Sequence, residues 1–406
     1  MRDADVVVVG MGAAGLSLAH RMAARHPREA ARVLLLDAPA GRLRPPERTW
    51  CYWEAPGGEY DAVLTASWDR LRVHGPDGRP VEVATAPYRY KMLRSVDLER
   101  LVAHRTEGLP GWTRAEATVR TVRDVPGGAE ARGTGADGRE RAWTGRWVFD
   151  SRPPHPLPPA RTTWWQVFSG WYLRTGHAAF DPAVADLMDF RTPQPAQGLS
   201  FGYVLPIGPR DALVEYTEFR RTPPAAAAYD AMLRQYATGV LGLTDWQVTA
   251  AEHGAIPMTD ARFPRRAGRS VFRVGTAGGA TRPATGYTFA GTRRQTAAVA
   301  DALERGRVPV PPAAHRPRAR AMDAVLLRAL DTGRVDGPQL LTRLWRSVPA
   351  ARLLGFLDGT ASPAADLMVG LRTPVLPMLR TAAELPFVRR RSPPPAAWPP
   401  VARGAP

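Results

Sequence analysis

A chain of 406 residues, 44% of them hydrophobic, has room for two or three domains of about 100–200 residues each and for a sizeable core. One cysteine, Cys51, excludes a disulfide framework and a Cys-rich metal site, no metal is expected, and no run of about 18 apolar residues could cross a bilayer. The formal charge is +17, but Lys91 is the one lysine among 55 basic residues and the arginines run from Arg2 to Arg403, a spread that argues against nucleic acid as partner and suits an anionic lipid surface.

The chain passes from Met1 almost at once into the β-branched run 6–9, which leaves no space for a signal segment and leads us to expect a cytoplasmic protein. Gly10-Met11-Gly12-Ala13-Ala14-Gly15 follows, then a helical stretch over 16–24. Strand, tight turn and helix in that order form a phosphate cradle. Gly10 makes the turn, Gly12 lets the backbone approach a pyrophosphate, and Gly15 lets helix pack on strand. The helix start offers free N–H groups and a positive dipole end to the phosphates. A second strand over 32–36 ends in Asp37, about 20 residues beyond the last glycine, where a carboxylate accepts ribose hydroxyls. The same glycine spacing recurs at 133–138 (GTGADG) between Arg132 and Arg139, but nothing apolar precedes it and Asp-Gly predicts a hairpin turn there.

Further along, Trp164, Trp165, Phe168, Trp171 and Tyr172 fall in one strand-like stretch, and Phe201 and Tyr203 in another. In the strand predicted over 213–219, Leu213, Glu215, Thr217 and Phe219 share one face while Val214, Tyr216 and Glu218 share the other. A second glycine-rich strand-to-helix junction follows 270–274, with Gly275, Gly278 and Gly279, then Gly286 and Tyr287 before a helix to about residue 302. Two such junctions imply one extended cofactor, FAD, and the fold of the glutathione-reductase-like superfamily, in which the late helix points its N-terminus at the flavin. That superfamily usually has Asp where this chain has Thr276. No second nucleotide fold for NAD(P)H is legible, so a reductant would be external.

Seven stretches, 48–54 (RTWCYWE), 88–95 (YRYKMLRS), 149–153 (FDSRP), 186–191 (DLMDFR), 213–219 (LVEYTEF), 256–260 (IPMTD) and 284–289 (ATGYTF), resemble in the same order the lycopene cyclase family, over about residues 5–370. The resemblance implies closure of β-ionone rings on the ψ end groups of lycopene, without net oxidation and with reduced FAD. It also implies a catalytic acid in a Glu-rich strand motif, which Glu215-Tyr216-Thr217 resembles, with Glu218 in reserve. Protonating an alkene needs a carboxyl kept neutral by burial, and Glu215 lies on a largely apolar face. Trp164, Trp165, Phe168, Trp171, Tyr203 and Tyr287 are the expected substrate contacts, since aromatic faces stabilise a cation. The expected cofactor contacts are Gly10, Gly12, Ala13, Ala14, Gly15, Asp37, Arg48, Arg94, Gly275, Gly278, Gly279 and Gly286. A redox flavoenzyme such as a monooxygenase or halogenase shares the first fingerprint, and would oxidise NAD(P)H and take up oxygen.

The expected fold is α/β: a discontinuous FAD-binding Rossmann domain (1–60, 86–155 and 268–305), a β-sheet substrate domain (61–85 and 156–267), a helical C-terminal part (306–385) and a flexible Pro/Arg-rich tail (386–406). The apolar segments 322–330, 367–371 and 375–379, the last two edged by Arg372 and Arg380, are candidates for peripheral contact with the inner face of the cell membrane.

Overall fold

The valine run forms strand β1 (Ala4–Val9), which turns at Gly10 into helix α1 (Ala13–Arg25) and returns as β2 (Val33–Asp37). Our computed structural model describes residues 2–25, 31–41, 44, 47–222 and 226–393. The chain continues through β3 (Thr49–Glu54), β4 (Ala66–Trp68), β5 (Arg70–His74), β6 (Pro80–Ala84), β7 (Arg89–Arg94), α2 (Ser95–Thr106), β8 (Trp112–Val125), β9 (Gly128–Gly135) and β10 (Glu140–Asp150). Then come β11 (Thr163–Thr175), β12 (Val184–Asp189), β13 (Leu199–Pro206), β14 (Asp211–Arg220), α3 (Ala226–Gln235), β15 (Trp246–Thr259) and β16 (Val271–Arg273). Helices close the chain: α4 (Phe289–Glu304), α5 (Pro317–Asp331), α6 (Gly337–Ser347), α7 (Ala350–Leu357), α8 (Pro363–Gly370) and α9 (Val375–Glu384).

β1 pairs in parallel with β2 on one side and β10 on the other; β2 pairs in parallel with β8, and β10 with β16. Strands of such a sheet are buried on both faces, which is why β1 and β2 read as unbroken apolar runs rather than alternating ones. Beyond their parallel halves β8 and β10 run on and are joined by β9 in antiparallel pairing. The second GxGxxG copy sits at the β9–β10 turn, where Gly138 has φ +75° and donates to the Gly135 carbonyl (3.0 Å), so it is the hairpin its Asp-Gly pair predicts.

The second large sheet has the order β15-β11-β14-β13-β12-β5-β6. All its neighbours are antiparallel except β12 and β5. The central strands present two apolar faces. One packs Val214, Tyr216, Trp171 and Val204 beneath Tyr229 and Leu233 of α3. The other carries Leu213, Phe219, Phe201, Tyr203 and Trp164 against Trp53 and Tyr90 of the small β3-β7-β4 sheet and against α5 to α7. The segment 322–330 belongs to this body: Leu327 and Ala329 are buried, and Leu326 and Leu330 pack on the same cluster.

The tail does not start free at residue 386. A short turn, Leu385–Phe387, leads to Arg391, whose backbone exchanges hydrogen bonds with Ala160 (2.8 and 2.9 Å), and Arg390 pairs with Asp260 at 3.2 Å. Its arginines are used as anchors to the sheet, which composition alone does not reveal; the remainder, 394–406, lies outside the described residues.

Candidate active site

The two glycine junctions meet. A Cβ on Gly275 (φ +67°) would stand 2.7 Å from the Ala14 Cβ, so only glycine lets the second turn approach α1. Gln295, fully buried in α4, holds that turn by accepting from the Gly275 N–H (3.0 Å) and donating to the Gly278 carbonyl (2.8 Å). Gly279 also has positive φ, and a Cβ on Gly278 would strike the Arg273 carbonyl. Thr276 starts a run of hydroxyls to Thr281 (3.3 Å), Thr288 (3.0 Å) and the Gly286 carbonyl (2.8 Å), pinning the loop at the start of α4.

The residues of the first junction fit a dinucleotide. A Cβ on Gly12 would have nothing within 4 Å, so the backbone borders open space there, while Gly15 is needed because a Cβ would lie 2.0 Å from the Gly10 carbonyl oxygen. Asp37 ends β2 with Oδ1 accepting from the Met11 N–H (3.2 Å) and with Oδ2 buried and without a hydrogen bond, facing Arg44 and Arg114 at 3.2 and 3.5 Å. A carboxylate at the end of the second strand, beside an open cradle, is placed to take ribose hydroxyls.

The acid site lies where β3 crosses the seven-stranded sheet. β14 and β15 flank β11, and Gly170 stands in register with both Glu215 and Glu252. The three form one row on one face. A side chain at 170 would fill the space between the acids: its Cβ would lie 2.8 Å from Glu215 Cγ and 3.0 Å from Leu213 Cδ1. With glycine there, the carboxyls of Glu215 and Glu252 reach each other across β11 and share a hydrogen bond. Burial, then the neighbouring charge of Glu252, pushes the Glu215 carboxyl well above its ordinary range. Burial likewise raises Glu252, to about 7, against hydrogen bonds from Thr49 that favour its charged form. The Thr49 hydroxyl donates to Glu252 Oε2 (2.8 Å) and meets the Tyr172 hydroxyl at 2.6 Å.

Glu215, Cys51 and Tyr287 are enclosed by protein deeply enough that burial dominates the acidity of each, yet all three keep accessible surface. Tyr203, in register with Glu215, and Phe168 belong to the same face; the Phe168 ring lies over Gly254, which a Cβ would forbid at 2.3 Å. Trp164 also faces this way, its indole N–H held by Asp331 (2.8 Å). β3 is fixed above by ion pairs at its far end, where Glu54 meets Arg293 (2.5 Å) and buried Lys91 (3.2 Å).

Two sequence expectations fall on the opposite face of the sheet. β14 runs without a bulge, so Glu218 points to the α3 side, 1% exposed, paired with Arg220 (2.6 Å) and taking the Tyr216 hydroxyl (3.0 Å). Its carboxyl therefore faces away from Glu215 and is held by these partners. Trp165 and Trp171 lie on that same far face, Trp171 against Trp246 with ring centroids 5.6 Å apart. Arg48 and Arg94 border the acid row: Arg48 acts through its charge on Glu252, and the Arg94 guanidinium lies 4.9 Å from the Tyr172 ring centroid. Reading the sequence missed Glu252, Gly170 and Thr49. The available signal was a glycine amid the tryptophans of a strand, which marks a close approach.

A buried acid pair of this kind works against the fold. In the unfolded chain both carboxyls ionise near pH 4.5, whereas in the folded protein burial raises both, Glu252 to about 7 and Glu215 well above its ordinary range. Folded molecules thus bind more protons over that window, and stability falls as pH rises through it. Glu215→Gln is expected to raise the thermal midpoint by a few degrees at pH 8 and to change it little at pH 4; an equal change at both pH values in calorimetry would count against the shared proton.

Fold and site together define an enzyme built on the two-sheet α/β architecture of flavoproteins. The chain resembles a geranylgeranyl bacteriochlorophyll reductase-like protein from Thermoplasma acidophilum (TM-score 0.67, 15% identity, 95% of this chain and 99% of that one). It also resembles a flavoprotein/dehydrogenase from Cytophaga hutchinsonii (0.62, 13%, 95% and 99%) and an aklavinone-11 hydroxylase solved with FAD and aklavinone (0.55, 16%, 75% and 62%). The family described as "Lycopene cyclase protein" matches residues 5–383, and the chain belongs to it. A search of curated proteins gave no match.

Proposed function

We propose that this enzyme is a lycopene β-cyclase, closing β-ionone rings on ψ end groups by an acid-initiated, redox-neutral reaction with FAD bound. The observation that carries the reading is the position of Glu215, in one row with Gly170 and Glu252 and beside Tyr203 on an aromatic face, where burial and the second carboxyl push its pKa upward. A neutral acid in a dry site is what protonation of an alkene requires. Glu215 gives its proton to C2 of the terminal double bond, C5=C6 attacks the cation at C1, and loss of the C6 proton completes the ring. Phe168, Tyr203, Tyr287 and Trp164 enclose the end group and offer ring faces to the cation, each contributing on the order of 1–2 kcal/mol. Reduced FAD, kept so by external NAD(P)H, supplies negative charge when bound, and Gly10 to Gly15, Asp37 and the 275–279 turn are the residues that would hold it. The parallel sheet with α1 and α4 serves the cofactor in this reading, and the seven-stranded sheet serves the substrate.

Anaerobic incubation with lycopene and pre-reduced FAD should yield monocyclic or bicyclic product without net reductant loss. NADPH consumption in step with product, or oxygen uptake, would overturn the proposal in favour of a redox flavoenzyme.

A carotenoid is dissolved in lipid, so we assign α8 and α9 to the bilayer surface. Leu367, Leu371, Leu376 (79% exposed), Leu379 and, in the turn beyond α9, Phe387 (85%) point outward, and Arg372 and Arg380 flank them, an apolar stripe with basic edges suited to anionic lipid. Among the described residues no helix is long and apolar enough to cross a membrane. Flotation with anionic liposomes should recover the wild type and lose most of a Leu376→Asp variant; equal recovery would remove this face from the account.

A further inference from the structure

Cyclisation consumes one proton at C2 and releases one at C6, so the acid must be restored once per ring. Glu215 sits on the inner face of the seven-stranded sheet, between Leu213 and Thr217, which are both fully buried. A line of hydrogen-bonding groups nevertheless leads away from it. Its carboxyl bonds Glu252. Glu252 Oε2 accepts from Thr49 Oγ1 at 2.8 Å, and Thr49 Oγ1 meets Tyr172 Oη at 2.6 Å. At the outer end the Tyr172 ring lies beneath the Arg94 guanidinium, which pairs with exposed Glu47, and Arg48 beside it is exposed. Each hydroxyl can donate to one neighbour while accepting from the next, the condition for a proton to move along a chain without any group travelling.

We propose that Glu252, Thr49 and Tyr172 form a proton relay that exchanges the proton held by Glu215 with solvent between turnovers. This rests on the cyclase reading and extends it. In the step itself the Glu215 O–H bond breaks as the C2–H bond forms; the π pair of C5=C6 makes the C1–C6 bond; the C6–H bond breaks to form the ring double bond, and that proton returns to the carboxylate pair. Nothing is oxidised or reduced. The relay then trades the returned proton for one from water before the next end group arrives. Glu252, Thr49 and Tyr172 act through Glu215, and the charged arginines are not members, because a guanidinium does not give up its proton.

Isotope content separates this role from a structural one. Wild type turning over lycopene in D2O should place one deuterium at C2 of every ring, read by mass spectrometry of the product. Thr49→Val and Tyr172→Phe interrupt the hydroxyls, so the proton taken from C6 is handed to the next substrate, and deuterium per ring should fall to well under half the wild-type content after many turnovers. Thr49→Ser keeps the hydroxyl and should restore it. If Thr49→Val and Tyr172→Phe products carry wild-type deuterium, at any rate of turnover, the relay is wrong. If wild type makes no rings at all, it is the cyclase reading that fails.

Discussion

Glu215→Gln should bind flavin as the wild type does and make essentially no rings, a loss of about 10³-fold or more, at the upper end of what a positioned acid contributes. The amide nearly matches the carboxyl in shape and can still hydrogen-bond Glu252, so the row across β11 stays filled, but it holds no proton acidic enough for an alkene. Glu252→Gln should be milder, about 10- to 100-fold, because Glu215 keeps its own proton and loses the neighbour that raises its pKa and shares its return. Glu218→Gln is the control on the same strand: it weakens the buried pair with Arg220 and should lower stability without changing ring formation per folded molecule. Pigment analysis with flavin content measured on the same samples checks all three. Ring formation by Glu215→Gln at a tenth of the wild-type rate would transfer the acid role away from position 215.

How far the sequence carries depends on whether a signal is local. The cofactor cradle is local: a valine run, glycines at fixed offsets and a carboxylate one strand later lie within residues 6–37, and β1, α1 and β2 follow them closely. The alternation of β14 is local too, and it correctly separates Glu215 from Glu218. What was hidden is lateral. Trp164, Trp165, Phe168 and Trp171 read as one aromatic group along the chain, but a strand sends alternate side chains to opposite faces, so Trp165 and Trp171 went to α3 while Trp164 and Phe168 went to the acid. Glu252 is far from Glu215 in sequence and becomes its neighbour only because β15 and β14 flank the same strand. Strand order of that kind is set by packing of whole sheets, which no window of residues encodes. Thr276 is a further case, since its hydroxyl chain to Thr281 and Thr288 appears only once the loop is folded.

Gly170 gives the sharpest test of that lateral geometry. Substituting Val there should cut ring formation by about 10²-fold or more, because the added side chain enters the space beside the Glu215 arm and against Leu213. The first added carbon would already stand 2.8 Å from Glu215 Cγ, closer than carbon atoms approach without repulsion, and the branched methyls extend further into the gap. β11 is held on both sides by β14 and β15 and cannot yield easily, so the flexible Glu215 side chain turns away and its hydrogen bond with Glu252 opens. The backbone itself gains, since glycine in a strand interior costs roughly 0.5–1 kcal/mol relative to a residue with a side chain. Activity should therefore fall far more than stability, in which the backbone gain offsets part of the crowding against Leu213, and the loss of stability between pH 4 and pH 8 should shrink as the two acids separate. Ala should fall between wild type and Val. A Gly170→Val enzyme with normal kcat would show that the carboxyls need not touch, and that Glu215 is kept neutral by burial alone.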